Sequence, residues 1–117
     1  MVLILGGLGA GKKEFARSLG FSDADLTTDV SDGKPVLYDL DTIVRGGDVP
    51  FDALLQKKLV LCREVGSGVI PMDPKEREWR EAVGRLCCAL AKEATAVVRV
   101  ICGVPIVLKG ELPCISD

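Results

Sequence analysis

The chain opens on an apolar run, Val2-Leu3-Ile4-Leu5, that passes without a break into Gly6-Gly7-Leu8-Gly9-Ala10-Gly11-Lys12-Lys13. No other stretch restricts the fold so strongly. A short buried strand ends in a glycine-dense turn, and Lys12, Phe15, Ala16 and Leu19 follow at helical spacing. The turn fits G-x-x-x-x-G-K, the pattern of a phosphate-binding loop. Such a loop holds phosphate oxygens in a ring of main-chain N–H groups, which needs glycines that accept positive φ and put no Cβ in the way. The first turn of the following helix adds orphan N–H donors and the positive end of its dipole.

The expected nucleotide-binding set is therefore Gly6, Gly7, Leu8, Gly9, Ala10, Gly11, Lys12 and Lys13. Lys12 is the point charge that reaches the β- and γ-phosphates of ATP or GTP. The pattern normally continues with a Ser or Thr whose hydroxyl holds the magnesium ion of the nucleotide. Here that residue is Lys13. A protonated lysine has no lone pair for a metal, so Mg2+ binding is weakened. Lys13 either sets substitute positive charge beside the phosphates or points to solvent.

Beyond the first helix, which Gly20 ends, residues 21–35 read as loop. Val36-Leu37-Tyr38-Asp39 reads as a buried strand closing on a carboxylate. A turn at Arg45-Gly46-Gly47-Asp48 and a short helix over 51–56 follow. Leu59-Val60-Leu61-Cys62 is the third strand and runs into Glu64-Val65-Gly66-Ser67-Gly68. The longest helix starts at Asp73 as N-cap, with Pro74 at its first position and Glu76 completing a capping box. Its apolar face is Trp79, Ala82, Val83, Leu86, Cys87, Leu90 and Ala94. A fourth strand covers 96–102, Gly103 and Pro105 interrupt it, and Ile106-Val107-Leu108 is a fifth. Strands alternating with helices behind a phosphate loop imply an α/β fold of the P-loop NTPase-like (RecA-like) kind, an open, mostly parallel sheet flanked by helices. Ligands are expected at the carboxyl ends of its strands.

The 117 residues suit one domain, 1–117. Hydrophobic residues are 48% and aromatics only 4%, so the core must be aliphatic, as in a helix-covered parallel sheet. A net charge of −2 argues against nucleic acid as partner. Between residues 21 and 52 lie Asp23, Asp25, Asp29, Asp32, Asp39, Asp41, Asp48 and Asp52, against only Lys34 and Arg45, which reads as a solvated acidic loop region or, for some of its carboxylates, as metal ligands. Cys62, Cys87, Cys88, Cys102 and Cys114 form no C-x-x-C, and Cys87 and Cys88 are expected to pack against the sheet. No secretory signal and no membrane-length apolar stretch is visible, so a reduced, soluble, cytoplasmic protein is expected. The sequence holds no histidine, which excludes histidine bases, histidine metal sites and phospho- or nucleotidyl-histidine intermediates.

Two carboxylates are candidates for the site. Asp39, at its strand end, either holds magnesium or caps a turn. Glu64, beside glycines, either acts as base or substrate ligand or makes a surface pair with Arg63. Arg77, Arg80 and Arg85 on the long helix either meet phosphate or form solvated ion pairs.

In order, residues 59–110 resemble the C-terminal half of the bifunctional adenosylcobinamide kinase / adenosylcobinamide-phosphate guanylyltransferase family of cobalamin biosynthesis. The residues that carry the resemblance are Glu64-Val65-Gly66-Ser67-Gly68-Val69-Ile70-Pro71, Arg77-Glu78-Trp79-Arg80-Glu81, Gly84-Arg85-Leu86, the apolar stretch 97–103 and Lys109-Gly110. The family pattern is Asn-Glu-Val-Gly-x-Gly-Ile-Val-Pro, followed by Arg-x-Phe-Arg-Asp-x-x-Gly-Arg. The glycine loop is similar to this family's phosphate loop, and Asp39 matches its acidic residue after the second apolar strand. The resemblance implies catalytic roles for Lys12, Asp39 and Glu64, Asp39 as the metal ligand, a corrinoid acceptor, and a homo-oligomer, since the family forms trimers.

The departures bear on activity. The family's histidine, guanylylated in its second reaction, lies in a segment that here is a short acidic loop. Arg63 stands for the family's Asn, Cys87-Cys88 for its Asn-Gln, and Lys13 for the loop hydroxyl. The pattern implies a shortened, diverged member. Such a chain is either a cobinamide-kinase-like phosphotransferase without histidine-dependent guanylyl transfer, or a non-catalytic nucleotide- or corrinoid-binding module that works through self-assembly or a partner.

Overall fold

The computed structural model describes residues 1–65 and 72–111. Gly66, Ser67, Gly68, Val69, Ile70 and Pro71 of the motif after Glu64, and Cys114, lie outside the described residues. Six strands form one sheet in the order β2-β3-β4-β1-β5-β6, where β1 is Val2–Gly6, β2 Leu26–Thr27, β3 Val36–Leu37, β4 Leu59–Arg63, β5 Ala96–Ile101 and β6 Val104–Lys109. All pairings are parallel except β5 with β6, an antiparallel hairpin at the edge. This is the P-loop NTPase-like α/β architecture expected, with the last strand reversed.

Connectivity places the helices. The chain leaves central β1 through α1 (Lys12–Ser18) to the far edge, then steps back through β3 and β4 to β5 on the other side of β1. Right-handed crossovers in opposite directions put α1 on one face, and α2 (Leu40–Arg45), α3 (Phe51–Leu55) and α4 (Pro74–Glu93) on the other. The period-two alternation of the strands feeds both faces. Val2, Ile4, Leu59, Leu61, Val98 and Val100 pack with Phe15 and Ala16 of α1. Leu3, Val60, Cys62 and Val97 pack with Leu40, Leu54, Val83 and Leu90. Among the described residues the buried apolar core is aliphatic but for Phe15, Phe21 and Cys62.

Helix ends follow their chemistry. α1 closes in a Schellman ending, with the amides of Gly20 and Phe21 bonded to the carbonyls of Arg17 and Ala16. At α4, Asp73 accepts from the Lys75 amide at 2.9 Å and Pro74 occupies the first position. The capping box expected there does not form. Glu76 turns instead to Arg45, which donates to both carboxylate oxygens at 2.8 and 3.1 Å, a stronger partner than a backbone amide.

Three further expectations are corrected. The second apolar run is a strand only over Val36–Leu37, because Asp39 at φ 55° breaks it and starts α2. The acidic region is not wholly solvated loop. It holds β2, a 3-10 turn at Asp23–Asp25 and buried Asp41, and its Asp32 accepts from the hydroxyl of Thr27 and from Lys57. Lys57 is itself buried and also donates to the carbonyls of Asp32 and Lys34. Cys87 packs against the sheet, but Cys88 lies on the outer side of α4 in an open groove with Phe51.

Candidate functional site

β1 is the point where strand order turns back, and the glycine loop leaves its carboxyl end there. Two glycines are required by contact. A Cβ on Gly6 would come within 2.8 Å of the carbonyl oxygen of Val100 on the neighbouring strand. Gly11 caps α1 at φ 98°, and a Cβ there would meet the Cα of Gly103 at 3.2 Å. The loop is closed by an Ala10 amide to Gly7 carbonyl bond of 3.2 Å, and α1 begins with the Phe15 amide on the Gly11 carbonyl at 2.9 Å.

Residues 8–14 form one wall of a cavity of about 270 Å³, and Tyr38, Asp39 and Leu61 face them. Lys12 folds back over its own loop, its Nζ donating to the carbonyls of Gly6 at 3.1 Å and Gly7 at 2.9 Å. Burial lowers its pKa below that of an ordinary lysine, an effect that Asp41 and Asp39 partly oppose. No carboxylate is within ion-pair distance of it among the described residues, so its charge rests on carbonyl dipoles. Lys13 lines the same cavity and is only partly exposed. Its ammonium sits over the Tyr38 ring, 4.1 Å from the centroid.

Asp39 lies on the rim of this cavity. It makes no side-chain cap bond to α2, so the turn-capping role weighed for it is absent. Asp41, two residues on, is buried. Asp41 accepts from the Arg63 amide at 3.3 Å and lies 3.5 Å from the Arg63 guanidinium, while its carbonyl accepts from the Trp79 indole at 2.7 Å. Nothing in the motifs around Asp41 assigns it a role. The spacing of Leu40, Ile43 and Val44 is the signal that α2 exists and carries Asp41 inward.

Glu64 is not in the loop cavity. It lines an adjoining cavity of about 440 Å³ with Arg63, Trp79 and Arg80, and Leu8 is common to both walls. The expected pairing with Arg63 does not occur. Arg99 of β5 grips Glu64 with Nε at 2.7 Å and a terminal nitrogen at 3.0 Å, reaching across β1, while the Glu64 amide bonds to the Gly6 carbonyl at 3.0 Å. Trp79 is a shelf as well as a packing residue, with Arg45 stacked 3.6 Å from its ring centroid. Arg99 and Arg45 were both missed. A single charge within the apolar run 96–101 was the available signal for Arg99.

A P-loop NTPase-like sheet with a glycine loop at its switch point defines the class. Residues 51–108, about half of the chain, match the family model for cobinamide kinase / cobinamide phosphate guanyltransferase. Through this segment the chain belongs to that family, whose members serve cobalamin biosynthesis as nucleotide-using transferases. No curated protein matches the chain. Among the described residues no helix is long and apolar enough to cross a membrane.

Proposed function

We propose that this chain is a cobinamide-kinase-like nucleotide-binding protein that transfers the γ-phosphoryl group of ATP or GTP to the aminopropanol hydroxyl of cobinamide, or of its adenosylated form, without histidine-dependent guanylyl transfer. The observation that carries the reading is Lys12: a partly desolvated ammonium, held by two carbonyls at the mouth of a glycine loop, has no anion at ion-pair distance among the described residues and lines a cavity sized for a phosphate chain. About 270 Å³ is less than the roughly 300–1,000 Å³ of pockets that enclose a whole small ligand. The phosphates enter, and base and sugar stay outside.

On this reading the backbone of residues 8–13 holds the phosphates and Lys12 moves from the Gly6 and Gly7 carbonyls onto them. Among the described residues, Asp39 is the carboxylate that lines the cavity opposite the loop, and a magnesium ion fits there only if phosphate oxygens and water complete its shell. When bound, that ion supplies charge neutralisation on the phosphates. Glu64, aimed by Arg99, receives the acceptor hydroxyl across Leu8 and takes its proton as the new P–O bond forms and the nucleoside diphosphate leaves. The protein works in the cytoplasm as a homo-oligomer, a trimer, and as a single domain. Exposed Val104, Ile106 and Leu108 on edge strand β6 support self-assembly.

A second reading, a catalytically inactive nucleotide- or corrinoid-binding module, has its own support. Lys13 stands where a magnesium-binding hydroxyl is expected and is occupied with Tyr38. The test is transfer of label from γ-labelled ATP or GTP to cobinamide with Mg2+. Cobinamide phosphate that disappears in Lys12→Ala is the expected result, and α-labelled GTP should leave no label on the protein. Nucleotide binding without any transfer would favour the second reading.

A further inference from the structure

Cys62 on β4 and Cys87 on α4 face each other across the sheet-helix contact, their sulfurs 3.6 Å apart. We propose that this pair is a redox modification site, a dithiol that a hydroperoxide converts into an intramolecular disulfide joining α4 to the end of β4.

The two thiols differ as the chemistry requires. Cys62 is fully buried, whereas Cys87 is half-buried and opens on a cavity of about 290 Å³ bordered by Leu5, Arg63, Glu64 and Val83. A molecule as small as hydrogen peroxide reaches Cys87 and not Cys62. The hydrogen bond between them lowers the Cys87 pKa and raises that of Cys62, so Cys87 is the sulfur that ionises first. Cys88 is exposed and lines an open groove with Phe51. In the family pattern described above, an Asn stands where this chain has Cys87.

The reaction balances in two steps. The Cys87 thiolate attacks one peroxide oxygen, the O–O bond breaks, and hydroxide or alkoxide leaves, giving a sulfenic acid. The Cys62 sulfur then attacks the Cys87 sulfur, the S–S bond forms, the S–O bond breaks, and hydroxide leaves as water with the Cys62 proton. The two thiols lose two electrons and the hydroperoxide gains them. Closure needs the sulfurs to move from 3.6 Å to a bonding distance of about 2.05 Å. The bond encloses residues 63–86, which include Glu64 and Trp79, and so ties the Glu64 cavity to the oxidation state.

The test starts from reduced full-length protein. It is treated with stoichiometric hydrogen peroxide, alkylated in denaturant and digested with trypsin without reduction. The expected product joins Leu59–Arg63 to the peptide of residues 86–92. It persists in Cys88→Ser, is absent from Cys87→Ser, raises Tm over the reduced form, and is reversed by dithiothreitol. In Cys62→Ala, which avoids a new buried hydroxyl, dimedone should trap a sulfenic acid on Cys87. Full alkylation of Cys62 after peroxide, a bond made through Cys88, or Cys87 passing straight to sulfinic acid in the parent would each overturn the assignment.

Discussion

The amide of Gly103 donates to the carbonyl of Ala10 at 2.8 Å, so the turn between β5 and β6 is bonded to the glycine loop that leaves β1. The antiparallel hairpin at the sheet edge thereby braces the loop from the side away from Asp39. Gly11 and Gly103 approach each other at this junction.

Their substitutions should differ in size. Gly11→Ala places a Cβ against Gly103 at a φ of 98° and should cost on the order of 2–3 kcal/mol, with loss of nucleotide binding. Gly103→Ala also has positive φ but meets nothing within 4 Å, so about 1 kcal/mol is expected, with binding retained. Urea unfolding of both variants checks the order.

Trp79 contributes through its ring and its N–H separately. Trp79→Phe removes the 2.7 Å bond to the Asp41 carbonyl and should cost about 1 kcal/mol. Trp79→Ala also removes the half-buried packing and the stacked Arg45, and should cost about 2–3 kcal/mol. Equal losses would mean that the ring contributes nothing beyond its hydrogen bond.

Glu64 separates catalysis from stability. Its fork with Arg99 is partly solvent-exposed, so Glu64→Gln should change stability by less than about 1 kcal/mol. If the carboxylate accepts the acceptor proton, cobinamide phosphorylation should fall roughly 100-fold or more while the nucleotide-induced rise in Tm is kept. Steady-state rates measured beside thermal shifts distinguish the two effects.

Acid should loosen the α2-α4 contact. The Arg45 fork holds the Glu76 carboxyl below its ordinary 4.5, and the Thr27 hydroxyl holds Asp32 below its ordinary 3.8. Both folded values lie below the unfolded ones, so each contribution is complete above the ordinary pKa and is lost as pH falls through the folded one. Tm should be flat above about pH 5 and fall below it. The difference between the parent and Glu76→Gln should shrink over the same acid range.

Most of this architecture was legible in the sequence because strongly periodic or glycine-marked segments report on local physics. The apolar run before Gly6, the helix start with Asp73 as N-cap and Pro74 behind it, and the packing of Trp79, Val83, Leu86, Cys87, Leu90 and Ala94 all form as read. β2 was not legible, since two residues show no period. α2 was hidden because Val36-Leu37-Tyr38 looks like a longer strand until Asp39 takes a left-handed conformation. The partners of the site are long-range. Arg99 reaches Glu64 and Arg45 reaches Glu76 through tertiary structure, so nearby sequence pointed to Arg63 and to a capping box instead.

The central claim is that the glycine loop and Lys12 bind a nucleotide's phosphates, and a thermal shift with ATP and with GTP, each with and without Mg2+, on the parent and on Lys12→Ala, tests it most directly. Ligand at about 100 times its Kd stabilises by about 2.7 kcal/mol, a rise of several degrees for a chain of this size. That rise is expected in the parent, larger with Mg2+, and none in Lys12→Ala, whose unliganded stability should stay within about 1 kcal/mol of the parent because a poorly solvated charge is removed along with its two hydrogen bonds. No rise under any condition, or a rise that Lys12→Ala keeps, would contradict it.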